Sequence, residues 1–390
     1  MRLPAVLVAL CMACSDAGAA VLETDVTPEM AEMGCTARLT GVIENGDLER
    51  IRPFLDRSLV AHIDSPSPDH PLIYRNFAPA VDYGPMAFFS HRLCLDSPGG
   101  SLTEALRIVD YIRKESADGN GGPSGIQTAI ARGDRCESAC AYVFLAGRFV
   151  RFSGTAAYEG RSNQLLHPLG RLGLHAPFLR FDSDRYSRAQ VQEIWKIGMD
   201  ATSLISRQIA NGNIFMSSDL FSEMVTYLPS EMLVLDTVGQ AVRWGIEVEP
   251  NSLTYGEYPF SRGDFESAIC MNAAEIAPSY VDLVPLQDRP ALQRDGDVIR
   301  SRGAFSDSLS GRRYECEFPA NAWEEFQVGL SYFEYYGISA RQGLSCSAPT
   351  VKLTVSGECY DCTIEVDLPC IGIYPNAAPI NAIHMDPPQP

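Results

Sequence analysis

Three short stretches of this chain carry the residue types needed to hydrolyse an amide or an ester. The first, Ser97-Pro-Gly-Gly100, follows an apolar run and precedes a helical pattern that begins at Leu102. A strand, a glycine turn and a helix in this order direct backbone N–H groups outward, where they can stabilise a developing negative charge. The second stretch is Cys136-Glu-Ser-Ala-Cys140, and the third is Leu172-Gly-Leu-His175. A serine nucleophile, a histidine base and N–H donors are therefore all available.

Each stretch also has a simpler structural explanation. A Pro-Gly-Gly sequence is usually only a turn, a serine before a helix is usually an N-cap, and a lone histidine is usually structural. The segment after Ser138 is almost entirely apolar, which predicts a buried helix rather than an amphipathic one. Because the three stretches occur together and in this order, we favour the interpretation in which Ser138 pairs with His175.

The three stretches resemble the Clp protease and crotonase superfamily, most closely its Clp-protease-like serine peptidase branch, which includes predicted exported members. The resemblance covers roughly residues 36–247. It implies an α/β fold with a spiral core of repeated ββα units. It also implies roles for four residues, namely a nucleophile (Ser138), a base (His175) and two oxyanion-hole N–H donors (Gly99 and Ala139).

The sequence departs from the Clp proteases at the acid that orients the base. Those enzymes carry an aspartate before their closing helix, and no aspartate stands at the matching place before Gln240. The nearest carboxylates are Glu231, Asp236 and Asp219. We favour Glu231, because its Pro-x-acidic-Met surroundings resemble exported relatives. Without this acid, a Ser–His pair would keep part of the activity of a full triad.

A second histidine, His167, competes with His175 for the role of base. We predict that His175 ends a short apolar strand, whereas His167 lies in a loop over residues 151–171. That loop separates the nucleophile from the base in sequence, so we expect it to form a lid or to shape the substrate site.

Hydrophobic periodicity predicts the elements that position these residues. Strands are expected at 37–43, 86–95, 125–131 and 172–175, and helices at 47–55, 102–114 and 188–211. The proline-rich stretch 64–85 is expected to be an irregular surface loop. For the helix over 188–211 the spacing predicts a core-facing side made of Val191, Ile194, Trp195, Met199, Leu204 and Ile205.

The N-terminus and the charge limit where the protein acts. Residues 1–19 have the form of an export signal with cleavage after Ala19, and the alternative is a lipoprotein anchored at Cys14. We expect a periplasmic or secreted protein.

The formal net charge of −18 argues against nucleic acid or an anionic membrane surface as a partner. No later apolar run approaches the roughly 20 residues of a membrane span.

Ten cysteines follow the predicted signal region, an even number that suggests disulfides in an oxidising compartment. Cys136 and Cys140 are spaced across a helix start, where their Cα atoms would lie about 6 Å apart, so we predict that they pair. The alternative pairs one of them with Cys94. A zinc site formed by Cys346, Cys359, Cys362 and Cys370 is disfavoured, because a second Cys-x-x-Cys pair is missing. No metal or other cofactor is expected.

The chain is predicted to contain a catalytic domain over 20–249, a smaller cysteine-rich β module over 250–375 with a structural or partner-binding role, and a disordered tail over 376–390. The expected function is that of an exported serine endopeptidase acting on extended polypeptide. The alternative is an oligomeric binding or scaffold protein that keeps the fold with little or no turnover. An acyl-CoA enzyme and a Ser–Lys dyad are disfavoured, since CoA is not expected outside the cytosol and Lys114 and Lys196 are predicted to be solvated. A homo-oligomer is expected by analogy only.

Overall fold

The computed structural model describes most of the chain from residue 19 onward. The described ranges are 19–57, 78–80, 88–117, 126–149, 152–153, 156–157, 161–162, 164–177, 187–228, 231–248, 261–277, 283–285, 291–307, 311–320, 329–335, 338–345, 350–355, 363–368, 371, 374 and 377–383. The predicted signal segment up to residue 18, with Cys14, lies outside these residues. So do most of the 64–85 loop and the four cysteines of the alternative zinc set.

The N-terminal part of the chain alternates strands with helices. Its strands are β1 (Val21–Glu23), β2 (Ala37–Thr40), β3 (Ala78–Ala80), β4 (Phe88–Asp96), β5 (Ile126–Ile130), β6 (Arg135–Glu137), β7 (Arg148–Phe149), β8 (Phe152–Ser153), β9 (Ala156–Ala157), β10 (Arg161–Ser162), β11 (Gln164–Leu166), β12 (Arg171–Leu174), β13 (Leu233–Val234) and β14 (Glu247–Val248). Its helices are α1 (Pro28–Glu32), α2 (Asp47–Arg57), α3 (Leu102–Ala117), α4 (Ala139–Phe144), α5 (Arg188–Ala210), α6 (Ser218–Met224) and α7 (Val238–Trp244). The strands and helices predicted from periodicity are confirmed.

Within the described residues, a seven-stranded sheet forms the centre of this part. Its order is β1-β2-β4-β5-β11-β14, with β3 paired to β4. The strands from β2 to β14 along this order are parallel, and β1 and β3 pair antiparallel at one side. All five residues of β5 are buried, as expected for a parallel strand that is covered on both faces.

A second, three-stranded sheet lies beside the first and carries the candidate catalytic residues. Its order is β13-β12-β6, with β6 and β12 parallel. The chain twice places a strand in the large sheet, then a strand in the small sheet, then a helix. The first such unit is β5-β6-α4 and the second is β11-β12-α5.

The predicted loop over 151–171 contains a strand of the large sheet, so this expectation was wrong. Residues of β11 pair in parallel with both β5 and β14. The buried Gln164 amide donates to the Leu145 carbonyl at 2.9 Å, which satisfies a polar side chain in an otherwise apolar strand. A three-residue strand next to polar residues gives too short an alternation to be recognised from sequence.

Helix α5 has the predicted length, but most of the side that was predicted to face the core is exposed. Trp195 is 71% exposed, and Val191 and Met199 are more than half exposed. Only the C-terminal half, around Ile205, is buried in the core. No helix in the described part of the chain is both long and apolar enough to span a membrane.

The C-terminal part is a helix packed on antiparallel strands. It contains α8 (Arg262–Ile276), β15 (Leu283–Pro285), β16 (Leu292–Asp295), β17 (Val298–Asp307), β18 (Arg313–Pro319), β19 (Gly329–Tyr335), β20 (Ile338–Ser345), β21 (Thr350–Val355) and β22 (Thr363–Asp367). A sheet of order β15-β17-β18-β21-β22 forms its centre, and Cys270–Cys316 links α8 to β18. These strands agree with the β-rich character predicted for residues 250–375, whereas α8 was not anticipated.

The C-terminal part shares one apolar core with the N-terminal part. Backbone hydrogen bonds also join the two, since the Val238 N–H donates to the Ala378 carbonyl and the Ile380 N–H donates to the Asp236 carbonyl. Residues 377–383, including a 3-10 turn at Ile380–Ile383, are therefore ordered. The prediction of a disordered tail over 376–390 is therefore wrong for 377–383, while residues 376 and 384–390 lie outside the described residues.

Candidate active site

The glycine turn after β4 packs directly against the Ser138 region. Gly99 has φ +93°, and a Cβ there would lie 2.7 Å from the Ser138 Cβ and 2.9 Å from the Ala139 nitrogen. Gly100 has φ +144°, and a Cβ there would lie 2.2 Å from the Ile43 carbonyl oxygen. The turn therefore needs glycine at both positions, for backbone conformation and for space.

The turn is held from its other side by the segment after β2. The Ile43 N–H donates to the Gly99 carbonyl at 2.8 Å, and the Ser101 N–H donates to the Ile43 carbonyl at 2.7 Å. The Gly99 N–H itself donates to the Ser97 hydroxyl at 3.1 Å. An oxyanion bound by Gly99 would therefore have to share this donor with Ser97 or take it over.

Ser138 occupies a backbone conformation that side chains rarely adopt. Its φ of 56° and ψ of −121° make it the only non-glycine residue with positive φ in the described part of the chain. Such a conformation costs about 1–3 kcal/mol and persists only where the surroundings enforce it, most often at functional sites. Ser138 is the N-cap residue of α4, but its hydroxyl makes no capping hydrogen bond. The simpler explanation of this serine as a helix cap therefore does not apply.

Helix α4 anchors the serine in the core. All six of its residues are buried, as the apolar sequence predicts. Ala139 is its first residue, and the first N–H groups of a helix have no partner within the helix. The Ala139 N–H therefore lies beside Ser138 and Gly99 without a hydrogen-bond partner in its own helix.

The predicted Cys136–Cys140 disulfide is confirmed, with its Cα atoms 5.2 Å apart. It bridges the end of β6 and the first turn of α4, with Ser138 midway between the two cysteines. Cys94 instead pairs with Cys35, so the alternative pairing of Cys94 with one of the flanking cysteines is wrong.

His175 follows the strand that neighbours the serine. In the parallel register of β6 and β12, Glu137 pairs with Gly173, and the Ser138 N–H donates to the Gly173 carbonyl at 2.9 Å. Ser138 and His175 thus emerge from the same end of adjacent strands. The His175 Nδ1 lies 2.7 Å from the Ala176 carbonyl oxygen. When Nδ1 carries the proton it donates to this carbonyl, and Nε2 is left to accept a proton.

Ser138, Ala139 and His175 line one cavity of about 950 Å³. Its walls also include Pro98 and Gly100 of the glycine turn, the segment Val42–Asn45, Met232, and Ile197, Gly198 and Ala201 of α5, whereas Gly99 is not among the lining residues. Most of these side chains are apolar. Glu44 is the carboxylate among the described lining residues, and it is exposed at the rim.

The competing histidine has a different environment. His167 directly follows β11 and is 1% exposed. Its Nδ1 accepts a hydrogen bond from the Leu169 N–H at 3.0 Å, and its Nε2 lies 3.5 Å from the Glu32 carboxylate. It does not belong to the lining of the cavity that contains Ser138.

The three candidate carboxylates lie in different places. Glu231 is exposed and precedes Met232, which lines the cavity. Asp236 is exposed at the start of α7, where its N–H donates to the Gln240 side chain. Asp219 lies in the first turn of α6 near Glu275, whose pKa is raised by burial and further by Asp219. Of the three, Glu231 alone has a direct chain neighbour in the cavity wall.

A buried ion pair supports the turn that leads into β6. Asp134 lies 3.1 Å from Arg38, and the Asp134 carbonyl accepts the Arg171 N–H at the start of β12. Burial raises the pKa of the Asp134 carboxyl to about 6, although the Arg38 charge acts in the opposite direction. Glu137 is paired with Arg171 at 2.7 Å, which adds a contact between the two strands of the site.

No protein-family model and no curated protein matches this chain. Among solved structures, a mutant of ClpP1 from Listeria monocytogenes is similar with 18% identity and a TM-score of 0.28, over 42% of this chain and 74% of that one. A mutant of the 1510-N membrane-bound stomatin-specific protease is similar with 12% identity and a TM-score of 0.31, over 54% of this chain and 77% of that one. Both are proteases, and the first is a Clp protease.

Proposed function

We propose that this protein is a serine hydrolase that cleaves polypeptide through Ser138 as nucleophile and His175 as general base. The observation that carries this proposal is the uncapped, strained Ser138 at the mouth of a buried helix, in one cavity with His175. A serine with no functional role would have no reason to keep a conformation that costs stability.

The proposed reaction begins with attack of the Ser138 Oγ on the carbonyl carbon of the scissile bond. The hydroxyl proton passes to the Nε2 of His175, and the oxyanion is stabilised by the N–H groups of Ala139 and Gly99. When the tetrahedral intermediate collapses, the leaving amine takes the proton from His175 and an acyl-enzyme remains. Water, deprotonated by His175, then attacks the acyl carbon. As this second intermediate collapses, the bond to the Ser138 Oγ breaks, the Oγ takes the proton back from His175, and the acid is released. Each oxyanion donor is typically worth about 2.7–4 kcal/mol of transition-state stabilisation.

The orientation of His175 is the least conventional part of this site. The Ala176 carbonyl can hold the Nδ1 proton and thereby fix the tautomer, but it carries no net charge to stabilise an imidazolium. We propose Glu231 as the carboxylate that supplies this charge, from an exposed position next to the cavity wall. This arrangement predicts a slower enzyme than one with a buried acid in contact with the base.

An apolar cavity of this size fits an extended peptide better than a small charged substrate. The three disulfides among the described residues favour an oxidising compartment, in agreement with the proposed export. Self-association remains part of the proposal.

One observation favours the alternative of a binding or scaffold protein with little turnover. The Gly99 N–H donates to the Ser97 hydroxyl rather than projecting freely into the cavity. In a non-catalytic protein, the same cavity would hold a peptide without cleaving it.

A fluorophosphonate probe separates the two functions. We expect it to label the wild-type protein and to leave Ser138→Ala unlabelled. Ser101→Ala is the matched control, because Ser101 also lines the cavity but lies at the start of α3, and it should still be labelled. Equal labelling of wild type and Ser138→Ala, or no labelling of the wild type at any pH, would contradict the proposal.

A further inference from the structure

We infer that the Cys136–Cys140 disulfide is a positioning element for the nucleophile, holding Ser138 in its positive-φ conformation. This inference rests on the proposed function of Ser138. It concerns how the serine is kept ready for attack, and it assigns the two cysteines a role in turnover beyond the folding of the chain.

The residue before Ser138 is fixed by strand pairing on both sides. The Glu137 N–H donates to the Ser97 carbonyl at 3.0 Å, and Glu137 pairs with Gly173 of β12. Cys136 is paired in the same way, with Leu172 on one side and Ser97 on the other. The strand end therefore cannot turn to relieve the strain at Ser138.

The residues after Ser138 are fixed by burial of α4. Cys140 is fully buried in its first turn, and the Thr128 hydroxyl donates to the Phe144 carbonyl at the other end of the helix. The disulfide joins these two fixed parts across Ser138, so the strand, the serine and the first helical turn form one closed ring. Without the bond, the strand end and the helix start are each held only by noncovalent contacts to different elements, so the helix start can shift relative to the strand and Ser138 can relax toward an ordinary conformation.

The short span of this disulfide argues for a local role. It joins residues four apart, whereas Cys35–Cys94 spans 59 residues and Cys270–Cys316 spans 46. The stabilisation of a fold by a disulfide grows with the length of the loop it closes. Of the three, Cys136–Cys140 therefore contributes least to global stability by this mechanism, yet it is the one that encloses the proposed nucleophile.

The effect should appear in the chemical step. The cavity walls formed by Val42–Asn45 and by α5 do not depend on this bond, so substrate binding should be largely kept. Removing both cysteines, as Cys136→Ala with Cys140→Ala, should lower kcat at least tenfold and change KM less than about threefold, a pattern typical of a lost transition-state interaction.

The matched control is Cys35→Ala with Cys94→Ala, which removes a buried disulfide of the same domain away from the serine. It should lower the melting temperature more than the first variant and leave kcat within about twofold of wild type below that temperature. The rate of fluorophosphonate labelling should follow kcat in both variants.

The outcomes are distinguishable. If the wild type is not labelled at Ser138, the proposed function fails and this inference fails with it. If the wild type is labelled and the Cys136→Ala, Cys140→Ala variant turns over at the wild-type rate, only the positioning role is wrong. The same holds if the control loses as much kcat as the test variant.

A second measurement covers the case in which the double variant does not fold. Wild-type protein is treated with increasing reductant, the free thiols are alkylated, and each disulfide is quantified by peptide mass spectrometry. Activity should fall with the fraction of Cys136–Cys140 that is reduced and should recover on reoxidation. Full activity with this bond reduced would overturn the inference.

Discussion

The two repeated units of this fold each end in a helix, and these two helices have very different surroundings. Helix α4, after Ser138, is buried along its whole length, whereas the N-terminal half of α5, after His175, is exposed on nearly every side. Both sequences are rich in apolar residues. The difference teaches that apolar spacing identifies a helix without identifying what covers it. The candidate site joins the two regions, because the serine lies on the buried helix and one cavity wall belongs to the exposed one.

The strongest test of this comparison is at Gly99, which packs against Ser138 at the start of the buried helix α4. We expect Gly99→Ala to lower kcat/KM at least 100-fold, because the added Cβ would press against Ser138 and Ala139 and displace the proposed oxyanion donors, one of which is worth about 10²–10³ in kcat. Steady-state kinetics on a peptide substrate would measure this.

Gly133→Ala is the matched control for the Gly99 variant. Gly133 also has a positive φ, of +77°, but nothing lies within 4 Å of the position of its Cβ. It should lose some stability and little activity. Similar kinetic losses in both variants would mean that backbone strain, and not the contact with Ser138, explains the effect.

The glycine turn and the buried helix α4 were largely predictable from sequence, because the features that indicate them are local. Gly99 and Gly100 mark a turn, the apolar run after Ser138 marks a buried helix, and the spacing of Cys136 and Cys140 suits a disulfide. These features depend on neighbouring residues, which the sequence contains. The catalytic roles assigned to Ser138 and His175 stay predictions.

The disulfide partner of Cys94 and the exposure of α5 could not be predicted, because they depend on contacts between distant parts of the chain. The partner of Cys94 is 59 residues away, and nothing near either cysteine indicates the pairing. The exposure of Trp195 depends on which elements pack against α5.

Helix α8 could have been recognised, since Ser261 and Asp264 form a capping box before its apolar residues.

A smaller effect is expected at Glu231, which is exposed and precedes the cavity-lining Met232. The His175 Nδ1 already contacts the Ala176 carbonyl. Solvent screens the charge of an exposed carboxylate, so its electrostatic effect on His175 is weak. We therefore expect Glu231→Gln to lower kcat/KM by about threefold to tenfold, far less than the roughly 10⁴-fold loss seen when a buried triad aspartate is replaced.

Asp236→Asn and Asp219→Asn are the controls for Glu231, and both should stay within about twofold of wild type. A thousandfold loss in Glu231→Gln would mean that this carboxylate directly binds the base during turnover. An unchanged rate would mean that Glu231 has no part in orienting His175.

The smallest effect is expected on the exposed half of α5. Trp195 is 71% exposed, so Trp195→Ala should change the free energy of unfolding by less than about 0.5 kcal/mol. Ile205 lies on the same helix but is fully buried. Ile205→Ala should therefore lower the free energy of unfolding by about 2–5 kcal/mol. Thermal or urea unfolding of the two variants at one low protein concentration would measure the contrast. If Trp195→Ala destabilises the protein as much as Ile205→Ala, another surface covers this half of the helix in solution. A melting temperature that rises with wild-type concentration, and no longer does so in Trp195→Ala, would then identify that surface as a second copy of the chain.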